Sequence, residues 1–253
     1  MSETKPIITV ESLTARYGDR LVLDSLSFEV ARGEVFVILG GSGCGKSTLL
    51  KHMIGLYQPH AGDIKIGEVS VVGAVGAERD ALIRRFGVMY QSGALFGSMT
   101  LLENICLPLE EFTDLGKEAR ELIARMKLGL VGLAEFADLM PSEISGGMKK
   151  RAAIARAMAL DPEILFLDEP SAGLDPVTAD ELDDLILMLS RTLKITFVVV
   201  THELPSIYKI ADRIIMLDAR TKKIIAEGDP IKLRDNAEDE WIRNFFNRKG
   251  GGE

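Results

Sequence analysis

Gly40-Gly41-Ser42-Gly43-Cys44-Gly45-Lys46-Ser47-Thr48 is the stretch on which the reading of this chain turns. It follows the apolar run Val35-Phe36-Val37-Ile38-Leu39, which reads as a buried strand. It precedes Leu49-Leu50-Lys51-His52-Met53-Ile54, which reads as the start of a helix. Strand, glycine-rich turn and helix form the context that a phosphate-binding loop with G-x-x-x-x-G-K-S spacing requires. The glycines let the backbone curl so that successive N–H groups point inward. The helix behind them adds its free N–H groups and the positive end of its dipole. Lys46 supplies a point charge for β- and γ-phosphates, and Ser47 a hydroxyl for Mg2+. The bland alternative is a glycine turn with an incidental lysine, and the full spacing in the right context weighs against it. The motif points to a nucleoside triphosphate and is silent on what its hydrolysis drives.

Outward from that loop, the chain reads as an α/β protein. Upstream, Ile7 to Leu13 and Leu21 to Val30 read as strands, with a turn at Gly18-Asp19-Arg20. Tyr17 precedes the turn; stacking on a purine base and local packing at a strand end are both open for it. Downstream, Ile64 to Ile66 and Gly87 to Tyr90 read as strands, the latter ending at Gln91. The apolar, flexible stretch Ser92 to Thr100 suits a loop that moves and binds. Leu101 to Leu107 is expected to be a short helix stopped by Pro108. Lys117 to Leu128 is expected to be a helix with Leu122, Ile123 and Met126 on one face.

A second helix start follows at Ser145-Gly146-Gly147, where Ser145 is a natural N-cap and the glycines leave the helix end open to an anion. Lys149, Lys150 and Arg151 behind it read blandly as a solvated helix face. The run Glu163 to Glu169 is a buried strand ending in Asp168 and Glu169, carboxylates placed to hold hydrated Mg2+ and polarise water. Pro176 starts a long helix with Leu182, Leu185, Ile186, Leu189 and Leu193 on one face. Ile195 to Thr201 is another central strand, with His202 at its end, in the crevice where ligands of parallel sheets bind. At the C-terminal end, Trp241, Ile242, Phe245 and Phe246 follow an acidic stretch at helical spacing, which favours contact with a partner over the chain's own domain. Lys249 to Glu253 read as disordered.

Composition sets bounds on function. The 253 residues suit one large α/β domain or a domain with a small lobe. The net charge of -8 argues against a nucleic-acid-coating protein. The two cysteines, Cys44 and Cys106, lack metal-ligand spacing and read as reduced thiols of a cytosolic protein. Apolar runs are strand-sized, well short of the ~20 residues of a spanning helix, and the start lacks the pattern of a signal peptide. Work at a membrane is therefore expected from the cytosolic side and through a partner.

Taken together, these motifs make the chain resemble, over nearly its whole length, the nucleotide-binding subunit of ABC transporters. Gly40 to Thr48 matches the phosphate loop, Gln91 the Q-loop glutamine, and Ile144-Ser145-Gly146-Gly147-Met148 the signature usually written LSGGQ. Asp168-Glu169, Asp175 and His202 match the second nucleotide strand, the D-loop and the switch histidine, and Tyr17 sits where the family stacks adenine. The resemblance implies a P-loop NTPase core at 1–90 and 142–234 with an antiparallel β subdomain, a helical subdomain at 91–141, and an aromatic tail at 235–253. It implies a head-to-tail dimer in which each phosphate loop faces the Ser145-Gly146-Gly147 helix end of the other copy. Glu169 would be the general base, His202 would position the γ-phosphate and water, and Ser47, Gln91 and Asp168 would hold Mg2+ beside ATP. Ile144 and Met148 depart from the signature without touching its phosphate-facing backbone.

Met148 after Ser-Gly-Gly, the run Gln91 to Phe96 and the stretch Glu169 to Pro176 further resemble the ATPases of bacterial Mla/MCE phospholipid-transport systems. That similarity implies a separate membrane permease and an MCE substrate-binding protein. It also implies a small STAS-domain regulator, a place on the cytoplasmic face of the inner membrane, and no nucleic-acid partner. Another cargo, or a soluble non-transport ATPase, is the competing reading.

Overall fold

The computed structural model of the chain describes residues 5–236 and 239–247, without the side chains of 240, 241 and 244. The expectations for Lys249 to Glu253 and for the Trp241 ring lie outside the described residues. The centre is a six-stranded sheet in the order β10-β9-β3-β8-β7-β6, made of β3 (Val35–Gly40), β6 (Phe86–Met89), β7 (Ile164–Asp168), β8 (Thr196–Val200), β9 (Arg213–Leu217) and β10 (Ile224–Gly228). All its pairings are parallel except β10 on β9.

The continuous apolar runs exist because this sheet is covered on both faces. Val35, Val37 and Leu39 of β3 face one core with Leu165, Leu167, Phe197 and Val199. Phe36 and Ile38 face the other, with Phe166, Val198 and Val200. The first core is closed by α5 (Gly146–Ala157), α6 (Pro176–Leu193) and α7 (Leu204–Ile210). The second is closed by α1 (Lys46–Met53), by α2 (Gly76–Ile83) through Leu82, and by a four-stranded antiparallel sheet. That sheet has the order β2-β1-β4-β5, from β1 (Ile8–Tyr17), β2 (Arg20–Val30), β4 (Ala61–Ile66) and β5 (Val69–Ser70). In β2 the buried positions change phase between Leu23 and Leu26. The cause is an irregularity at Ser25, whose φ is 51°, where the register on β1 shifts between Leu13 and Ala15.

Between β6 and β7 lie α3 (Leu101–Phe112) and α4 (Lys117–Leu130), which pack on each other and on α5. One expectation fails here, and one apolar face is left largely outside the core. The helix α3 runs through Pro108 to Phe112, because Ile105 and Leu109 are buried on either side of the proline and a Thr100–Glu103 capping box secures its start. In α4 the buried residues are Ala124, Lys127 and Leu128, whereas Leu122 and Met126 are each 63% exposed. Ala124 and Leu128 join the first core, and Lys127 beside them reaches the exposed Asp161 side chain.

The tail also departs from expectation. After α8 (Pro230–Asn236), α9 (Glu240–Asn247) folds back, and Ile242 and Phe246 are buried in the first core. The Tyr208 hydroxyl of α7 donates to the Phe246 carbonyl, and their rings stand 6.3 Å apart. Those two apolar anchors are satisfied within the chain itself.

Candidate functional site

Parallel strands deliver the chemistry to one edge of the sheet. Met89 lies beside Leu167, and Asp168 and Ile38 both lie beside Val200. Gln91, Glu169, His202 and the Gly40 loop therefore leave their strands at the same end, the crevice that binds ligands in such sheets.

The loop after β3 is shaped by its contacts. Gly40 has φ 149°, and a Cβ there would stand 2.5 Å from the Leu217 carbonyl oxygen and 2.6 Å from Cys44 Sγ. Gly45 has φ 107° and would meet Leu23 Cδ2 at 2.6 Å, so only glycine lets the loop nestle against the antiparallel sheet. Lys46 Nζ donates to the Gly40 carbonyl at 2.9 Å and to that of Gly41 at 3.3 Å, which holds the curl closed. The Cys44 side chain is buried under the loop, and that burial pushes its thiol pKa up. It is a packing residue whose nearness to a ligand is through the backbone only.

A cleft of about 380 Å3 gathers Tyr17, Ser42, Gly43, Gly45, Lys46, Ser47, Thr48, Gln91 and Glu169, together with Arg20 and Val22, which sequence reasoning missed. Tyr17 is half-exposed at its rim, its hydroxyl 3.3 Å from Thr48 Oγ1 and its ring edge-on to Tyr57. Gly41 is exposed on the same loop.

The two carboxylates at the end of β7 sit differently. Burial pushes the Asp168 carboxyl above its usual range and the neighbouring Glu169 charge adds to it, against Lys51 and the Ser47 hydroxyl. Asp168 Oδ1 and Glu169 Oε2 are buried with no hydrogen-bond partner. Glu169 itself is 9% exposed and has φ 47°, a conformation uncommon for a residue with a side chain. Its Oε1 lies 2.8 Å from His202 Nδ1, so beside a carboxylate that ring nitrogen carries the proton. Orphaned anionic oxygens next to a serine hydroxyl fit a hard divalent cation such as Mg2+. Among the described residues no three His, Cys, Asp or Glu side chains cluster as a metal site, so such an ion would also need Ser47, Gln91 and phosphate oxygens.

Ser145, Gly146 and Gly147 do not line this cleft. Ser145 caps α5 by accepting from the Met148 N–H at 3.2 Å, and a Cβ at Gly147 would meet Thr178 Cγ2 at 2.4 Å. Asp175 caps α6: its Oδ1 accepts from the Val177 and Thr178 N–H groups, each at 3.1 Å. The helices α5 and α6 thus pack against one another.

Three further residues escaped sequence reasoning. Lys150 is not solvated: it is 7% exposed, and its Nζ donates to the Gln91 carbonyl and, at 3.4 Å, to the Glu169 carbonyl. Burial pulls its pKa below the usual lysine range against the pull of Glu169 and Asp168. The signal was present, since Gly147, Lys150 and Ile154 share the buried face of α5 at helical spacing. Arg156 donates to the carbonyls of Ala94 at 2.7 Å and Gly93 at 3.0 Å. Asn104, fully buried, accepts from the Phe96 N–H at 2.8 Å and donates to the Thr100 carbonyl at 2.9 Å. Together these two side chains pin the loop after Gln91. Beside that loop lies an apolar groove of about 600 Å3, lined among others by Phe86, Tyr90, Phe96, Pro108, Phe112 and Leu160. Leu95 packs against the core instead.

A family model described as ABC transporter matches residues 23–172. The chain is 40% identical over 227 residues to the "Intermembrane phospholipid transport system ATP-binding protein MlaF" of Haemophilus influenzae, covering 90% of this chain and 85% of that one. It is 38% identical over 240 residues to the "Probable ribonucleotide transport ATP-binding protein mkl" of Mycobacterium leprae, covering 95% of this chain and 68% of that one. Its fold is similar to the dimeric ATP-binding cassette MJ0796 in a post-hydrolysis state bound to ADP and Pi. The TM-score is 0.78 at 30% identity, over 88% of this chain and 98% of that one. A glycine-rich loop, paired carboxylates and a helix-capping serine on this fold, with those matches over most of the length, identify the chain as an ATP-binding, ATP-hydrolysing subunit of the ABC transporter family.

Proposed function

We propose that this ATPase powers a membrane-embedded permease that moves phospholipids across a bacterial envelope, acting as a head-to-tail pair of copies on the cytoplasmic face of the inner membrane. The observation that carries the cargo is the 40% identity to a relative named for intermembrane phospholipid transport. The dimeric cassette with ADP and Pi supports the pairing. That the signature helix end is remote from its own cleft supports it as well, because each site is then completed by the other copy.

The chemistry follows from the residues. ATP would lie on Tyr17 with its phosphates on the Gly40–Thr48 loop, Lys46 facing the β- and γ-phosphates. Mg2+ would be held by Ser47 and Gln91, with Asp168 acting through water, and supplies positive charge against the phosphate oxygens. Glu169 accepts a proton from the water that attacks the γ-phosphorus as the bond to the β-bridging oxygen breaks, leaving ADP and phosphate. His202, hydrogen-bonded to Glu169 Oε1, aims that carboxylate and, with the same imidazole, would meet the γ-phosphate. Ser145, Gly146 and Gly147 of the second copy would close over the phosphates, and Asp175 would steady the helix they pack on. Residues 91–141 act as the helical subdomain. An MCE substrate-binding protein and a STAS-domain regulator belong to the same reading as further partners, and nucleic acid does not.

The apolar groove beside Phe96 is where the permease would dock. Phe96→Asp is expected to leave ATP hydrolysis by the isolated chain intact and to cut permease-dependent lipid movement by about 10-fold or more, as loss of a buried aromatic anchor does. Purifying the native complex and following labelled phospholipid between vesicles tests both parts. Unchanged assembly and transport would refute the docking site. The mycobacterial relative's name supports a second cargo, a ribonucleotide, and a native complex that moves nucleotide and no lipid would favour it.

A further inference from the structure

A lysine is an expensive residue to bury, and one that merely fills space is more cheaply replaced by an apolar side chain. Lys150 is buried within the first turns of α5, and its ammonium is directed at two main-chain carbonyls from two separate loops. One belongs to Gln91, at the end of β6, and the other to Glu169, at the end of β7. The Glu169 carbonyl also accepts from the Ala172 N–H at 3.2 Å, while the Glu169 N–H donates to the Val200 carbonyl at 2.8 Å. A side-chain-bearing residue at φ 47° persists only where its surroundings over-determine it, and Lys150 is one of these restraints.

The position of Lys150 on α5 matters as much as its bonds. The same helix begins with Ser145 as cap and Gly146-Gly147 as its first residues. A helix moves as a rigid rod over a turn or two, so a small displacement of its N-terminus carries the Lys150 ammonium with it. That displacement is passed to the backbone of Gln91 and Glu169. Among the described residues, no other side-chain hydrogen bond joins α5 to the Glu169 main chain.

We propose that Lys150 is a positioning residue that ties the signature helix to the catalytic loops of its own copy, so that closure of the Ser145-Gly146-Gly147 end on the other copy's triphosphate sets the placement of Glu169 and Gln91. The two ATP sites of the pair are thereby coupled, each site's occupancy tuning the base of the other. The inference rests on the reading of Glu169 as general base and of the pair as head-to-tail, and deepens it by naming the link.

The test uses the full chain in its native permease complex and measures ATP hydrolysis against ATP concentration. Lys150→Met, which keeps the apolar stem to Cε but cannot donate, is expected to lower kcat by about 10- to 100-fold, the size of a small misplacement of a catalytic group. ATP affinity, read by fluorescent-nucleotide titration, is expected to stay within about twofold, and the Hill coefficient to fall from about 2 toward 1. Lys150→Gln, as short as Met but with an amide NH2 that can donate toward these carbonyls, is expected to restore at least half of the lost cooperativity. The proposal is overturned by a wild-type Hill coefficient of 1, by wild-type kcat in Lys150→Met, or by equal losses in Lys150→Met and Lys150→Gln. It is also overturned if both variants fail to fold, which would make the residue purely structural. Glu169→Gln run in parallel separates the two levels. If that variant hydrolyses normally the base is misassigned, whereas a dead Glu169→Gln beside a normal Lys150→Met removes only the link.

Discussion

Glu169→Gln is expected to bind ATP with ordinary affinity and to hydrolyse it about 10³-fold more slowly, a loss of about 4 kcal/mol of transition-state stabilisation. The substitution is nearly isosteric, and the amide oxygen can still accept from His202 Nδ1, so the 2.8 Å contact and the left-handed backbone at this position survive. What is lost is the ability to take a proton from water. ATP then stays bound between two copies, and the variant is expected to elute as a dimer with ATP and Mg2+ and as a smaller species without them. Phosphate release in single turnovers and size-exclusion chromatography read the two effects. Normal turnover would remove Glu169 from its role, and a monomer with ATP would remove the shared site.

The largest effect on stability is expected at Gly87, far from any phosphate. A Cβ on Gly87 would sit 1.9 Å from the Ala157 carbonyl oxygen and 2.8 Å from Leu165 Cδ2. The first of these is backbone at the end of α5, which cannot swing aside as a side chain does. Gly87→Ala must push β6 and α5 apart, at a cost of about 3 kcal/mol. In a chain of this size that lowers Tm by roughly 6–12 °C. The same displacement would disturb both ends of the Lys150 link, since β6 leads to Gln91 and α5 carries Lys150. Gly97→Ala, with nothing within 4 Å of its Cβ and no left-handed backbone, is the matched control, expected to shift stability by no more than about 0.5 kcal/mol. Thermal unfolding followed by circular dichroism compares them, and equal Tm values would refute the close approach.

The strands were legible because a sheet buried on both faces writes itself as unbroken apolar runs, and Val35 to Leu39 and Ile195 to Thr201 are such runs. Helix starts were legible for a related reason, since Ser145 and Asp175 answer a purely local demand for hydrogen-bond acceptors. Helix faces and helix ends were less so. Pro108 is a local signal to stop, and the packing of Ile105 and Leu109 overrides it. The spacing of Leu122, Ile123 and Met126 describes an apolar stripe, but a stripe does not say which neighbour will cover it, and the burial of Ala124 and Leu128 against α3 and α5 turned α4 another way. In the tail, Ile242 and Phe246 found cover on their own domain because α7 and α8 lie within reach of them.

Local sequence alone determined the glycine-rich loop, the two carboxylates, the helix-capping serine and the strands that carry them. Each of these depends on residues adjacent along the chain, where spacing and chemistry are read directly. Only the tertiary structure decided that Lys150, apparently one more charge on a polar helix, is closed off from water and turned toward Gln91 and Glu169. It alone decided that Arg156 and Asn104 hold the loop beside the apolar groove. Those bonds join residues 8 to 62 positions apart, and a side chain's partner at such distance is chosen by how helices settle on a sheet, which no local pattern records.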